Sequence, residues 1–182
     1  TPVTAITFGE LNNFDPGGTI AEQLDSLPQF FGTQTAQRGG GALFGSAGGS
    51  FLNMRNLGSQ RTLVLLDGVR IVPADKGGGV NVDTLPTALL RTVDVVTGGA
   101  SAAYGADAIG GVTNFILRDN FQGLDIDAQY GKTEAGDGQE YRLSAIMGAN
   151  FADGKGNVTM GLEQYSRGAA YQKNRDIYTD YW

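Results

Sequence analysis

Two hydrophobic patterns divide the chain near residue 121. Before that point, short continuous apolar runs are separated by glycine-rich segments, whereas residues 122–163 alternate between apolar and polar side chains. Continuous runs bounded by turns are typical of strands buried on both faces, and strict alternation is typical of strands with one polar face. The pattern therefore predicts a small α+β domain over residues 1–121 and a series of antiparallel strands in residues 122–182.

The first block carries local signals for its elements. A capping box, Thr19 with Glu22 three residues later, starts a helix that Pro28 ends. Asp67-Gly68 is the strongest hairpin signal in the chain. Strands are predicted at 1–7, 51–57, 62–66, 69–72, 92–96 and 110–117. Short helices are predicted at 8–14, 84–90 and 100–104, with Tyr104 as a core aromatic, and glycine-rich loops at 34–50 and 73–80.

The second block contains three runs of about ten residues, the length of a tilted strand that crosses about 30 Å of hydrocarbon. One face of these strands is almost purely apolar or aromatic. The other face carries the charges, at Asp125, Asp127, Arg142 and Glu163. The pattern favours the first strands of a transmembrane barrel, whose lumen these charges would line.

Aromatic residues mark the ends of the first predicted hairpin. Tyr130 and Tyr141 are expected to meet at one end, and Phe151, with Phe121, to mark the other, as an aromatic girdle would. On the alternation alone, the meander of a soluble sandwich is the simpler interpretation. The confinement of charge to one face, and the open edges that three strands would leave, favour the barrel.

Composition excludes several function classes. The chain has no cysteine and no histidine, so disulfides, thiolate zinc sites and Cys or His nucleophiles are excluded. Its net charge of -6 offers no basic stripe for nucleic acid. No apolar run is long enough for a transmembrane helix, and no basic-then-apolar signal peptide follows Thr1.

The motifs of the first block resemble the plug domain of TonB-dependent outer-membrane receptors. They are NLGSQRTLVLLDGVRIVP at 56–73 and VDTLPTALLRTVDVVTGGASAAYGADAIGGVTNFIL at 82–117, after an opening that also resembles the plug. The resemblance covers residues 1–121, and the alternating block resembles the first three barrel strands. It implies a barrel of about 22 strands with a plugged lumen. We expect this chain to be an N-terminal fragment without the Ton box, the remaining barrel being missing or in another chain.

The resemblance also implies roles for individual residues. The glycine loops would form the plug apices that face the ligand, with Arg38, Phe44, Asp75 and Lys76 as ligand-facing residues, unless these are solvated loop side chains. Arg55 and Arg91 would contact the barrel wall. Two positions depart from the family: Asn56 stands where a glycine is usual, and Thr97 where many members have a second arginine.

The function implied is energy-coupled uptake of a scarce nutrient across the outer membrane of a Gram-negative bacterium. The nutrient would be a siderophore, cobalamin, carbohydrate or peptide, and the partners a TonB-type periplasmic protein, an extracellular small ligand and outer-membrane lipid. No cofactor, metal, nucleic acid or enzymatic activity is expected. The alternative is a soluble α+β binding or structural module. Two weaker hypotheses are a phosphate-binding loop at Gly98-Gly99 and calcium sites at Asp125 with Asp127, at Asp137 or at Asp153.

Overall fold

The computed structural model describes residues 3–15, 17–35, 48–74, 76–152 and 155–171. The chain divides into two compact units, residues 1–118 and residues 119–182. Within the described ranges, no helix is both long and apolar enough to span a bilayer.

The first unit is built on a mixed five-stranded sheet. Its strands, in chain order, are β1 (Val3–Thr7), β2 (Thr62–Leu66), β3 (Val69–Arg70), β4 (Leu90–Val96) and β5 (Gly111–Leu117). The order across the sheet is β1-β4-β5-β2-β3. The β2–β5 pair is parallel and the other pairs are antiparallel. The last strand of this unit, β5, therefore lies at the centre of the sheet.

Helices α1 (Phe8–Phe14) and α2 (Ile20–Asp25) both begin with a capping box. Thr19 and Glu22 form the box that the sequence predicts, and Thr7 with Glu10 form a second one. A 3-10 turn, Pro28–Phe30, follows α2, and a short helix α3 (Ser101–Tyr104) precedes β5.

Apolar residues cover both faces of this sheet. Val64 and Phe115 belong to the larger core cluster, together with residues of α1 and α2 such as Leu11 and Leu24. Leu63 and Leu65 belong to a second cluster, whose other buried members are Ala100, Ala108 and Val112. Alternate residues of β2 thus enter different cores, which confirms the prediction that this continuous apolar run is buried on both faces.

The Asp67-Gly68 hairpin is present as predicted, with φ of 48° and 78° at its two residues. Its turn is fixed to β5: the Leu117 N–H donates to Asp67 Oδ1 at 3.0 Å, and the Gly68 N–H donates to Asn114 Oδ1 at 2.9 Å. The return strand is shorter than predicted, since only Val69–Arg70 pair with β2.

Two predicted elements are wrong. Residues 51–57 form isolated bridges at Phe51 and then a tight turn at Met54–Asn56, where the left-handed φ of Arg55 and Asn56, 55° and 56°, end the extended backbone. The predicted helix at 84–90 is instead two 3-10 turns, Val82–Thr84 and Thr87–Leu89. Between them Leu85 is extended, as a residue before proline prefers to be.

The second unit is a three-stranded antiparallel meander of β6 (Gly123–Gly131), β7 (Glu140–Phe151) and β8 (Gly156–Arg167). Tyr130 pairs with Tyr141, as predicted. The third strand extends beyond the predicted alternating run, to Arg167.

Candidate functional site

One face of the meander is apolar and exposed. Register places Ile126, Ala145 and Leu162 in one row across the three strands. The adjacent row contains Leu124, Met147 and Met160. Large side chains on this face are 43–68% exposed: Leu124, Ile126, Tyr130, Tyr141, Leu143, Met147, Val158, Met160 and Leu162. A contiguous apolar patch of this kind marks a surface that contacts lipid or a partner.

The opposite face carries a charged network near the Tyr130 end of the sheet. Arg142 Nε lies 3.7 Å from Glu163 Oε1, and Arg167 Nε lies 2.7 Å from Glu140 Oε1. Both guanidinium groups lie 5.6 Å from the centre of the Tyr165 ring. Each arginine thus has a glutamate partner, and both contact the same aromatic ring. This end of the face is polar and carries charges of both signs.

The structure brings together two of the predicted lumen-facing residues, Arg142 and Glu163, and surrounds them with three that the pattern missed. Glu140, Tyr165 and Arg167 continue the same two-residue period, but the apolar alternation in β8 stops at Leu162. The missed signal was the register itself, which places Glu140 directly opposite Arg167.

Asp125 and Asp127 occupy the same face of β6, opposite Ile146 and Ser144. Among the described residues, no group of three or more acidic side chains is placed to hold a metal ion. In the turn after β6, the Asp137 carboxylate accepts hydrogen bonds from the Thr133 hydroxyl at 2.7 Å and the Tyr171 N–H at 3.1 Å. Asp137 therefore joins two loops at one end of the meander.

In the first unit, a groove of about 530 Å³ runs along β2 and the segment after β3. Its walls are mostly apolar, with Ile71, Pro73 and Val80 among them. Arg70 and Asp107 also line it and form an ion pair of 2.5 Å. Lys76 is exposed in the loop that follows. The predicted ligand-facing residues Arg38, Phe44 and Asp75 lie outside the described residues.

The two predicted barrel-contacting arginines are both exposed. Arg55 lies in the left-handed turn, and its guanidinium group lies close to Gly98. Arg91 falls between the pairs Leu90–Leu117 and Thr92–Ile116, where the β4–β5 register shifts. Tyr104 is 44% exposed, so its prediction as a core aromatic is wrong. It ends a helix of only four residues, too short to bury it.

Residues 1–112 match the family model of the TonB-dependent receptor plug domain. The chain belongs to this family. The match spans α1, α2 and the strands β1 to β4, and it confirms the resemblance carried by the two motifs of the first block.

Solved structures share the fold of this plug-domain chain. The siderophore receptor PirA from Acinetobacter baumannii superposes with a TM-score of 0.64 at 20% identity, over 91% of this chain and 24% of that one. A mutant of the ferric enterobactin receptor PfeA from Pseudomonas aeruginosa gives 0.59 at 22% identity, over 82% and 22%. The copper transporter OprC gives 0.55 at 16% identity, over 79% and 21%. The plug-domain chain therefore spans about a quarter of the PirA length.

Proposed function

We propose that this chain forms the plug and the first three barrel strands of a TonB-dependent receptor. The receptor lies in the outer membrane of a Gram-negative bacterium and imports a scarce nutrient from outside. The observation that carries the proposal is the match of residues 1–112 to the plug-domain family.

The meander supports the membrane location. β7 has 12 residues. At about 3.3 Å per residue and a tilt of about 45°, a strand of this length spans roughly 28 Å, close to the thickness of the hydrocarbon core. Its exposed apolar face suits lipid, and its charged face suits a hydrated lumen. The outer edges of β6 and β8 would pair with the remaining strands of the barrel.

The first unit supports the plug role. It has two apolar clusters of its own, so it can stay folded while its outer surface slides against a polar barrel wall. In this proposal Arg55 and Arg91 contact that wall. Lys76, with Arg38, Phe44 and Asp75, faces the ligand, and a TonB-type periplasmic protein supplies the energy that moves the plug.

A metal complex is the first ligand class to test, since the solved relatives include siderophore receptors and a copper transporter. Cobalamin, carbohydrates and peptides are the other classes. The ligand test is growth of a deletion strain with iron supplied only as ferric siderophores, and in parallel with limiting copper, cobalamin, carbohydrate or peptide. A growth defect confined to one nutrient identifies the ligand class.

The membrane test is fractionation of cells that produce the receptor. We expect it to sediment with the outer membrane, to need detergent for extraction and to migrate differently on gels before and after heating. Recovery in buffer without detergent, as a folded protein, would favour the alternative of a soluble binding or structural module and would refute transport.

A further inference from the structure

The segment that follows the Asp67-Gly68 turn is held far more weakly than the turn itself. The turn is anchored by three hydrogen bonds to β5: those of the Leu117 and Gly68 N–H groups, and one from the Asp67 N–H to the Phe115 carbonyl at 2.8 Å. We call residues 69–73 the flap. Of the described residues between 74 and 80, the buried ones are residues 79 and 80.

The flap adds little to either core. Val69 is 69% exposed and Val72 is 83% exposed, and neither belongs to a core cluster. Only Ile71 packs partly against the larger cluster, and its N–H reaches the Val64 carbonyl at a long 3.5 Å. Because β3 is a two-residue edge strand, removing it leaves the β1-β4-β5-β2 sheet intact.

Besides the backbone pairing with β2, one side chain fixes the flap to the body of the first unit. Arg70 Nη1 donates to Asp107 Oδ2, and Arg70 Nη2 donates to the Tyr104 carbonyl. Both acceptors lie in a hydrogen-bonded segment. The Tyr104 and Gly105 N–H groups donate to the Ala100 and Ser101 carbonyls, and Ala108 next to Asp107 is buried in the smaller cluster.

The ion pair that holds the flap is exposed to solvent. The Arg70 and Asp107 side chains are 50% and 59% exposed, so water competes for both charges and salt screens them. Arg70 and Asp107 also stand in the wall of the groove, beside the flap residues Ile71 and Pro73. Releasing Arg70 would therefore widen the groove, whose lining includes the core residues Leu63 and Val64.

We propose that Arg70 is a latch, and that the flap opens and closes as a unit while the rest of the sheet stays folded. In a receptor that works as proposed above, on which this use of the latch rests, the flap is a part of the plug that can move while the central strands stay paired. The groove beside it changes width with each opening.

Hydrogen exchange on the purified receptor in detergent tests the latch independently of transport. Arg70→Gln removes both contacts, and we expect amide exchange at residues 69–72 to rise about tenfold or more. Asp107→Asn removes only the ion pair, and a rise of about threefold is expected, which wild type should approach in about 1 M NaCl. The matched control is Arg118→Gln, since Arg118 Nε also donates to a backbone carbonyl, that of Leu90, away from the flap.

The β5 amides serve as the internal reference. A rise confined to the amides of residues 69–72 in Arg70→Gln and Asp107→Asn, absent in Arg118→Gln, supports the latch. Unchanged exchange in Arg70→Gln or in Asp107→Asn overturns it. An equal rise along β5 also overturns it, because Arg70 would then stabilise the whole sheet rather than hold a flap.

Discussion

The two faces of the meander allow a matched test of the membrane proposal at adjacent positions. Ala145 lies on the apolar face, between Ile126 and Leu162, whereas Ser144 lies on the charged face, between Asp127 and Glu163. Both side chains are small, so lysine at either position adds a similar volume. Only the environment of the new charge differs.

The expected loss of stability depends on the depth of position 145 in the bilayer. At about 3.3 Å per residue and a tilt of about 45°, Ala145 lies roughly 9 Å below the level of Tyr141 and 14 Å above that of Phe151. This is close to the middle of the apolar band. A lysine facing lipid at that depth costs about 2–4 kcal/mol, or roughly 30- to 900-fold in the folding equilibrium. Lysine at 144 faces two carboxylates and should cost less than about 1 kcal/mol.

The assay is urea unfolding of the receptor in lipid vesicles, followed by the gel-mobility difference between its folded and unfolded forms. Ala145→Lys should lower the free energy of unfolding by the stated amount, and Ser144→Lys should leave it nearly unchanged. If both variants lose less than about 0.5 kcal/mol, as expected for a surface exposed to water, the lipid-facing assignment of this side is refuted.

Three further outcomes are expected. Gly111→Ala should destabilise the first unit by about 3 kcal/mol or more, because φ is 143° and a Cβ would stand 2.5 Å from the Val96 carbonyl oxygen; a loss below about 1 kcal/mol in denaturant unfolding contradicts this. Phe115→Ala should cost about 3–5 kcal/mol in the same assay, since Phe115 is fully buried, and a midpoint near that of wild type would contradict its place in the core. Hydrogen bonds from the Thr7 backbone and hydroxyl lower the pKa of Glu10, so its contribution is present at neutral pH and lost as pH falls through the folded-state pKa. The stability difference between wild type and Glu10→Gln should vanish in acid, and a difference that persists there would contradict this.

Local signals predicted the elements whose physics is local. The capping box at Thr19 and the turn at Asp67-Gly68 each depend on residues a few positions apart, and both are present. The alternation of the second block predicted which residues share a face, because a strand has a period of two.

The errors occur where side-chain hydrogen bonds or a proline, which a hydrophobic pattern does not show, decide the backbone. The turn at Arg55 and Asn56 depends on Asn53, whose Oδ1 accepts the Gly58 N–H at 2.7 Å and whose Nδ2 donates to Asn56 Oδ1 at 3.3 Å. The hydrophobic pattern of residues 51–57 does not reveal these two hydrogen bonds of the Asn53 side chain. The Arg70 contacts join residues more than 30 positions apart, so they too become visible only in the folded chain.

The central position of β5 sets an order for folding. The sheet needs residues 111–117 between β4 and β2, yet they are synthesised after every other strand of the first unit. Until they arrive, β1 can pair only with β4, and the β2–β3 hairpin lacks its neighbour. Closing pairs so distant in sequence is slow, because chain entropy is lost before the contacts that repay it form. A newly made chain would therefore stay unfolded until residue 117 is available, which would suit the export that the proposed outer-membrane function requires.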